Sequence, residues 1–142
     1  MREIKFRGKA ETEEMCGKWV YGWFVGKTNI APPSIITEID GRFVSVPVEP
    51  ETVGQYTGLE DENGKEIFEG DIIGYKNEDF LHNQPKYLVY YAVNEGNYPA
   101  FDVKPRIEEI TCNGLQFLVE NYQVEVLGNK YENGELLGGN DG

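Results

Sequence analysis

Asn63-Gly64 sits between two short apolar runs, Gln55–Leu59 and Glu66–Ile73, and that arrangement restricts the fold more than any other feature of the chain. Asn and Gly tolerate the positive φ angles that a type I′ turn demands at both central positions, so the pair predicts a tight hairpin. The same grammar recurs elsewhere. Short runs rich in aromatic and β-branched residues are cut by Gly, Asn and Pro, including Pro32-Pro33, Asp40-Gly41 and Gly128-Asn129. Such residues suit a pleated, half-buried surface, and their spacing predicts an all-β barrel or sandwich. No fixed repeat, low-complexity segment or strict helical period competes with that reading.

Each run then predicts a strand. Ile4 and Phe6 alternate with charged neighbours. In Trp19–Val25 the residues Trp19, Tyr21, Trp23 and Val25 share one face, and Val20 and Phe24 the other. A strand apolar on both faces is expected to be central or covered, so the aromatic face is expected to pack in the core. Gly22 permits close backbone approach. Val44, Val46 and Val48 share a face, while Pro47 lacks an N–H and marks an edge strand or strand end. Glu49-Pro50-Glu51-Thr52 reads as a linker. The expected organisation is a hairpin-rich β subdomain over 1–52, a second β-rich part over 53–133 and a flexible tail over 134–142. Within the second part, Gly70-Asp71 predicts a kink, Tyr87–Val93 a long strand, Asn94–Asn97 a turn and Tyr98–Val103 a weaker strand. Ile107–Ile110 suits one helical turn, Leu115–Val119 suits strand or helix and is read as strand, and Tyr122–Leu127 alternates again.

The net charge of −12 is uneven. Residues 1–43 sum to +1, residues 44–72 to −7 and residues 73–142 to −6. A negative field repels phosphate, so nucleic-acid binding is not expected. Charges interrupt the opening Met1–Arg7, and no stretch approaches the ~20 apolar residues of a membrane helix. The expectation is a cytoplasmic protein with no membrane partner and with Cys16 and Cys112 as reduced thiols.

Chemistry-bearing motifs are sparse. The two cysteines lack C-x-x-C spacing, and His82 is the sole histidine. Neither a zinc set nor a nucleophilic triad can be assembled from them by motif. Glu69-Gly70-Asp71 could offer paired carboxylates, but a kink stabilised by Asp71 accepting backbone N–H groups explains it better. Glu60, Asp61, Glu62, Glu66 and Glu69 form a candidate acidic surface without the spacing of a calcium loop. Asn63, Gly64, Gly70 and Asp71 are read as structural turn residues. No catalytic, cofactor or metal residues are assigned. Trp19, Tyr21 and Trp23 are the candidate protein interface, because Trp and Tyr concentrate at interface hot spots. Tyr87, Tyr90 and Tyr91 are the set that could stack bases, against which their acidic setting argues.

Three blocks resemble the YopX family of phage- and prophage-associated proteins. They are Met1-Arg2-Glu3-Ile4-Lys5-Phe6-Arg7-Gly8, then Gln55–Leu59 with Asn63–Ile72, then Val124–Asn133. The resemblance implies an SH3-like small barrel in the second half, a bacterial phage or prophage origin and homo-oligomers. It carries no catalytic residue and no cofactor. The expected function is an accessory protein without catalysis that contacts a protein partner or itself. The alternatives are an acidic mimic of nucleic acid and a weak nucleic-acid-binding barrel.

Overall fold

The computed structural model describes residues 5–75, 86–92, 100–104 and 114–137. The expectations for Ile4, the His82 loop, the 94–97 turn, Tyr98, the 107–110 helical turn, Cys112 and the last five residues lie outside them. Contacts divide the chain into two units, 1–56 and 57–142. The division falls inside a strand, beyond the boundary expected at 52/53. The described residues are mostly β, and all their strand pairs are antiparallel.

In the first unit, β1 (Phe6–Lys9) pairs with β2 (Trp19–Val25), β2 with β3 (Ser34–Ile39), and β3 with β4 (Arg42–Pro47). The other side of β1 takes the opening residues of β5 (Gly54–Glu60). Strand β4 therefore lies at the sheet edge, as Pro47 predicts. The β3–β4 connection is a two-residue hairpin in which Asp40 and Gly41 both have positive φ (50° and 81°), the type I′ requirement. Val20, Ile35, Val46 and Val48 form the core, with Phe6, Phe24 and Val44 packed against it. Gly22 is needed for space: a Cβ there would collide with the Ile36 carbonyl oxygen of the neighbouring strand.

Two expectations fail here. Residues 49–52 are no linker. Pro50–Thr52 is a 3-10 turn, and the buried Thr52 hydroxyl both donates to the Glu49 carbonyl (2.6 Å) and accepts from the Lys9 N–H (2.9 Å). The aromatic face of β2 is also not the core face. Val20 is buried, whereas Tyr21 and Trp23 are 44% and 61% exposed. Val20 and Phe24 take the core side, and alternation turns Tyr21 and Trp23 outward.

In the second unit, the later part of β5 lies beside β6 (Glu66–Phe68), and the Thr57 hydroxyl donates to the Ile67 carbonyl (2.7 Å). A four-stranded sheet follows in the order β10-β7-β8-β9, from β7 (Asp71–Tyr75), β8 (Lys86–Ala92), β9 (Ala100–Lys104) and β10 (Val124–Asn129). Every residue of β7 is buried, as befits a central strand covered on both faces. Its Ile73 joins Val89, Val103, Leu115, Leu118 and Val124 in the core.

Leu115–Val119 belongs to a helix, α1 (Gly114–Asn121), and not to a strand. Leu115 and Leu118, three residues apart, are both buried, while the exposed Gln116 donates to Glu120 (2.7 Å). Asp102 on β9 accepts from the Gly114 N–H (3.1 Å), placing a carboxylate at the helix start, where the backbone dipole favours it. Residues Gly134–Leu137, expected in the tail, form a 3-10 turn.

Candidate protein-docking face

The outer face of the first sheet follows from strand register. Trp23 on β2 pairs with Ile36 on β3, which pairs with Ser45 on β4, so these three side chains form one row. Val25, Ser34 and Pro47 form the next row. Phe43 is two residues from Ser45 and therefore shares its face. Tyr21, Trp23, Val25 and Phe43 are 44%, 61%, 40% and 74% exposed. Scattered apolar residues on a surface are ordinary, but several large ones on one sheet face mark a patch that can exclude water against a partner.

Cations border the patch on β1. The Arg7 guanidinium lies 4.5 Å from the centre of the Trp19 ring, and the Lys9 ammonium 5.6 Å from it. Lys5 lies 5.5 Å from the ring of Tyr56. Trp19 is thus half-buried between charged side chains, unlike Tyr21 and Trp23. Of the sequence candidates, Tyr21 and Trp23 lie open on this face, and Trp19 forms its boundary. Phe43 lies on the face of β4 opposite Val44 and Val46, the pair that draws attention in the sequence. Its position opposite those valines was already present in the alternation.

The acidic candidates separate into two groups. Glu60 and Glu62 are exposed, and Glu66 and Glu69 half-buried. Asp61 is not a surface group: it is 7% exposed. Its Oδ1 accepts from the Asn63 and Lys65 N–H groups (2.9 Å each), and its Oδ2 accepts from the Val126 N–H on β10 (3.0 Å). The turn type also differs from expectation. Gly64 has φ 81°, but Asn63 is not among the positive-φ residues. The Gly64 N–H donates to the Asp61 carbonyl (3.0 Å), and the Asp61 N–H to the Lys65 carbonyl (2.8 Å). This is a type I turn followed by a left-handed glycine, a longer loop than the type I′ form. The Asp61 side chain favours it by accepting two N–H groups inside the loop.

Asp71 behaves as a kink residue. It is 2% exposed, and its Oδ2 accepts from the Phe68 N–H (2.8 Å). Gly70 has φ 94°, and a Cβ there would lie 3.0 Å from the Tyr131 ring. A third polar hub, unread in the sequence, is Asn129. Its Oδ1 accepts from the Tyr131 and Glu132 N–H groups (3.0 Å each), and its Nδ2 donates to Glu132 (3.0 Å). An Asn just after an alternating run was the available signal.

The tyrosines serve packing. The Tyr75 ring stacks on Tyr122 (4.4 Å) and on Tyr87 (6.3 Å). Burial, followed by the charge and hydrogen bond of Tyr75 and the charge of Tyr122, pushes the Tyr87 phenol up to about 12. Tyr90 lies under the Lys104 ammonium (4.4 Å), and Tyr91 tilts against Phe101 (4.9 Å). A shallow, open depression at the end of α1 is lined by Glu120, Asn121, Tyr122 and Gln123. Among the described residues, no group of three or more His, Cys, Asp and Glu side chains could hold a metal ion. Cys16 is an exposed free thiol. No helix among the described residues is long and apolar enough to cross a membrane.

Comparison with known proteins adds a family and a fold. The family model described as YopX protein matches residues 5–138. Among solved structures, the chain is similar to protein EF1440 from Enterococcus faecalis, with 24% identity, a TM-score of 0.62, and coverage of 96% of this chain and 99% of that one. At that identity the likeness concerns the fold alone. No curated protein matches the sequence.

Proposed function

The chain belongs to the YopX protein family, and from that premise we propose that it is a phage or prophage accessory protein that docks to other proteins and performs no chemistry. The observation that carries this reading is the outer face of β2–β4. Tyr21, Trp23, Val25 and Phe43 stand exposed there, on a backbone fixed by paired strands. Rigid aromatic side chains lose little conformational freedom on contact and bury large areas. In this reading the protein works in the bacterial cytoplasm, and the second unit is an SH3-like scaffold bent at Gly70-Asp71.

The acidic-mimic alternative has less support. Asp61 and Asp71, within the most acidic segment, are buried and bonded to backbone, so they cannot join a phosphate-like row. Direct nucleic-acid binding is likewise less favoured, because Tyr87, Tyr90 and Tyr91 already have ring or cation neighbours.

Affinity capture from lysogenic cells tests the docking reading with three baits: wild type, Trp23→Ala/Phe43→Ala, and Glu60→Gln/Glu62→Gln. The expected result is a partner retained by wild type and by the glutamine variant, and lost with the alanine variant. Equal recovery by all three baits rules out this face.

A further inference from the structure

We infer that β4 is a self-complementary docking edge, through which two copies of the chain join their first-unit sheets by antiparallel β4–β4 pairing. At sheet edges, unpaired backbone N–H and C=O groups invite another strand. In the four-stranded sheet of the second unit both edge strands already carry contacts. On β10, the Val126 N–H donates to Asp61 Oδ2 (3.0 Å) and the Val124 carbonyl accepts from the Glu62 N–H (2.8 Å). On β9, Asp102 binds the start of α1, and α1 packs along the strand.

Among the described residues, none covers β4 in this way along Phe43–Ser45. The hairpin closes at Ile39 and Arg42, so the antiparallel alternation directs the N–H and C=O groups of Phe43 and Ser45 away from β3. Both residues are exposed. The open stretch is bounded at its far end, because Pro47 has no N–H and its carbonyl accepts from the Glu11 N–H (2.9 Å).

One register fits this stretch to itself. Phe43 pairs with Ser45 of a second copy, and Ser45 with its Phe43, giving four N–H···O=C bonds about a twofold axis. Val44 then meets its own counterpart on the core side, where it already packs against the first unit's core. The large Phe43 ring lies beside the small Ser45 side chain. Charge also permits a second copy here. The chain carries −12, yet β4 contains no carboxylate, and Arg42 falls opposite Val46 rather than a second arginine. Two negative molecules meet at this edge with no carboxylate within the pairing strands. The pairing goes beyond the docking reading, since it uses the backbone of β4 rather than the rings of β2.

Light scattering on the full chain is the first test. It should give twice the 16.1 kDa chain mass for wild type and the single-chain mass for Ser45→Pro, which removes an outward N–H and leaves the bonds to β3. Circular dichroism checks that the variant still folds. The second test needs no disruption. In a Cys16→Ser/Cys112→Ser background, Val44→Cys faces itself in a non-hydrogen-bonded pair with Cα atoms about 4.5 Å apart, within disulfide range. Mild oxidation should convert it to a covalent dimer, whereas Glu51→Cys in the same background should not cross-link. A monomeric wild type, or a Val44→Cys chain that does not cross-link, overturns the pairing. Neither outcome touches the docking reading, which rests on partner loss with Trp23→Ala/Phe43→Ala.

Discussion

Asp61 binds three backbone N–H groups with one buried carboxylate, two in its own loop and one on β10. Hydrogen bonds to a charged acceptor are stronger than neutral ones, and buried donors left without a partner bear the full cost of desolvation. Asp61→Ala is therefore expected to cost about 3 kcal/mol of stability, read as a lower midpoint in chemical denaturation. Glu62→Ala, one residue away and exposed, should change stability by less than about 0.5 kcal/mol. Equal effects of the two substitutions would show that the loop does not depend on the buried carboxylate. The sequence hides this difference, because Asp61 sits among glutamates in a run that looks uniformly solvated. Only the β10 contact, 65 positions away, distinguishes it. Gly70 and Asp71 were legible, since a kink places both requirements on adjacent residues.

At the scale of elements, alternation located the strands, and the aromatic face of β2 was the point where it misled. Period two states which residues share a face but not which face meets the core. Val20 and Phe24 fill the space beneath the sheet, so Tyr21 and Trp23 point outward. Leu115–Val119 suits strand as well as helix, because the eight residues of α1 allow only two helical turns and the segment is apolar enough for either, and the preference for strand is the part that fails. The β7–β8 pair carries a pH prediction. The fold favours the neutral Tyr87 phenol, pushed up to about 12 by burial first and then by Tyr75 and Tyr122. An unfolded phenol ionises near 10.0, so the stabilisation is complete below that pH and is lost as the pH rises towards 12. Alkaline titration of tyrosine absorbance, wild type against Tyr87→Phe, should show that the substitution removes a phenol ionising near pH 12. If it removes one ionising near pH 10 instead, the packing around Tyr87 is wrong.

For the whole molecule, the family match spans nearly the entire chain, and the mostly-β fold agrees with the turn pattern from which the reading began. In the proposed function the second unit is a scaffold and the first sheet is the working surface. Phe43 and the free edge of β4 were written in the sequence but legible only once strand order was known, because edge position is a property of topology. The central claim is that contact occurs on the outer face and edge of β2–β4. Amide hydrogen exchange, with and without the captured partner, measures this most directly. The account predicts added protection across Tyr21–Val25 on partner binding, with Phe43 and Ser45 already protected in the self-paired chain and exchange unchanged through 60–71. Protection concentrated in 60–71, with the β2–β4 amides unaffected, would contradict it.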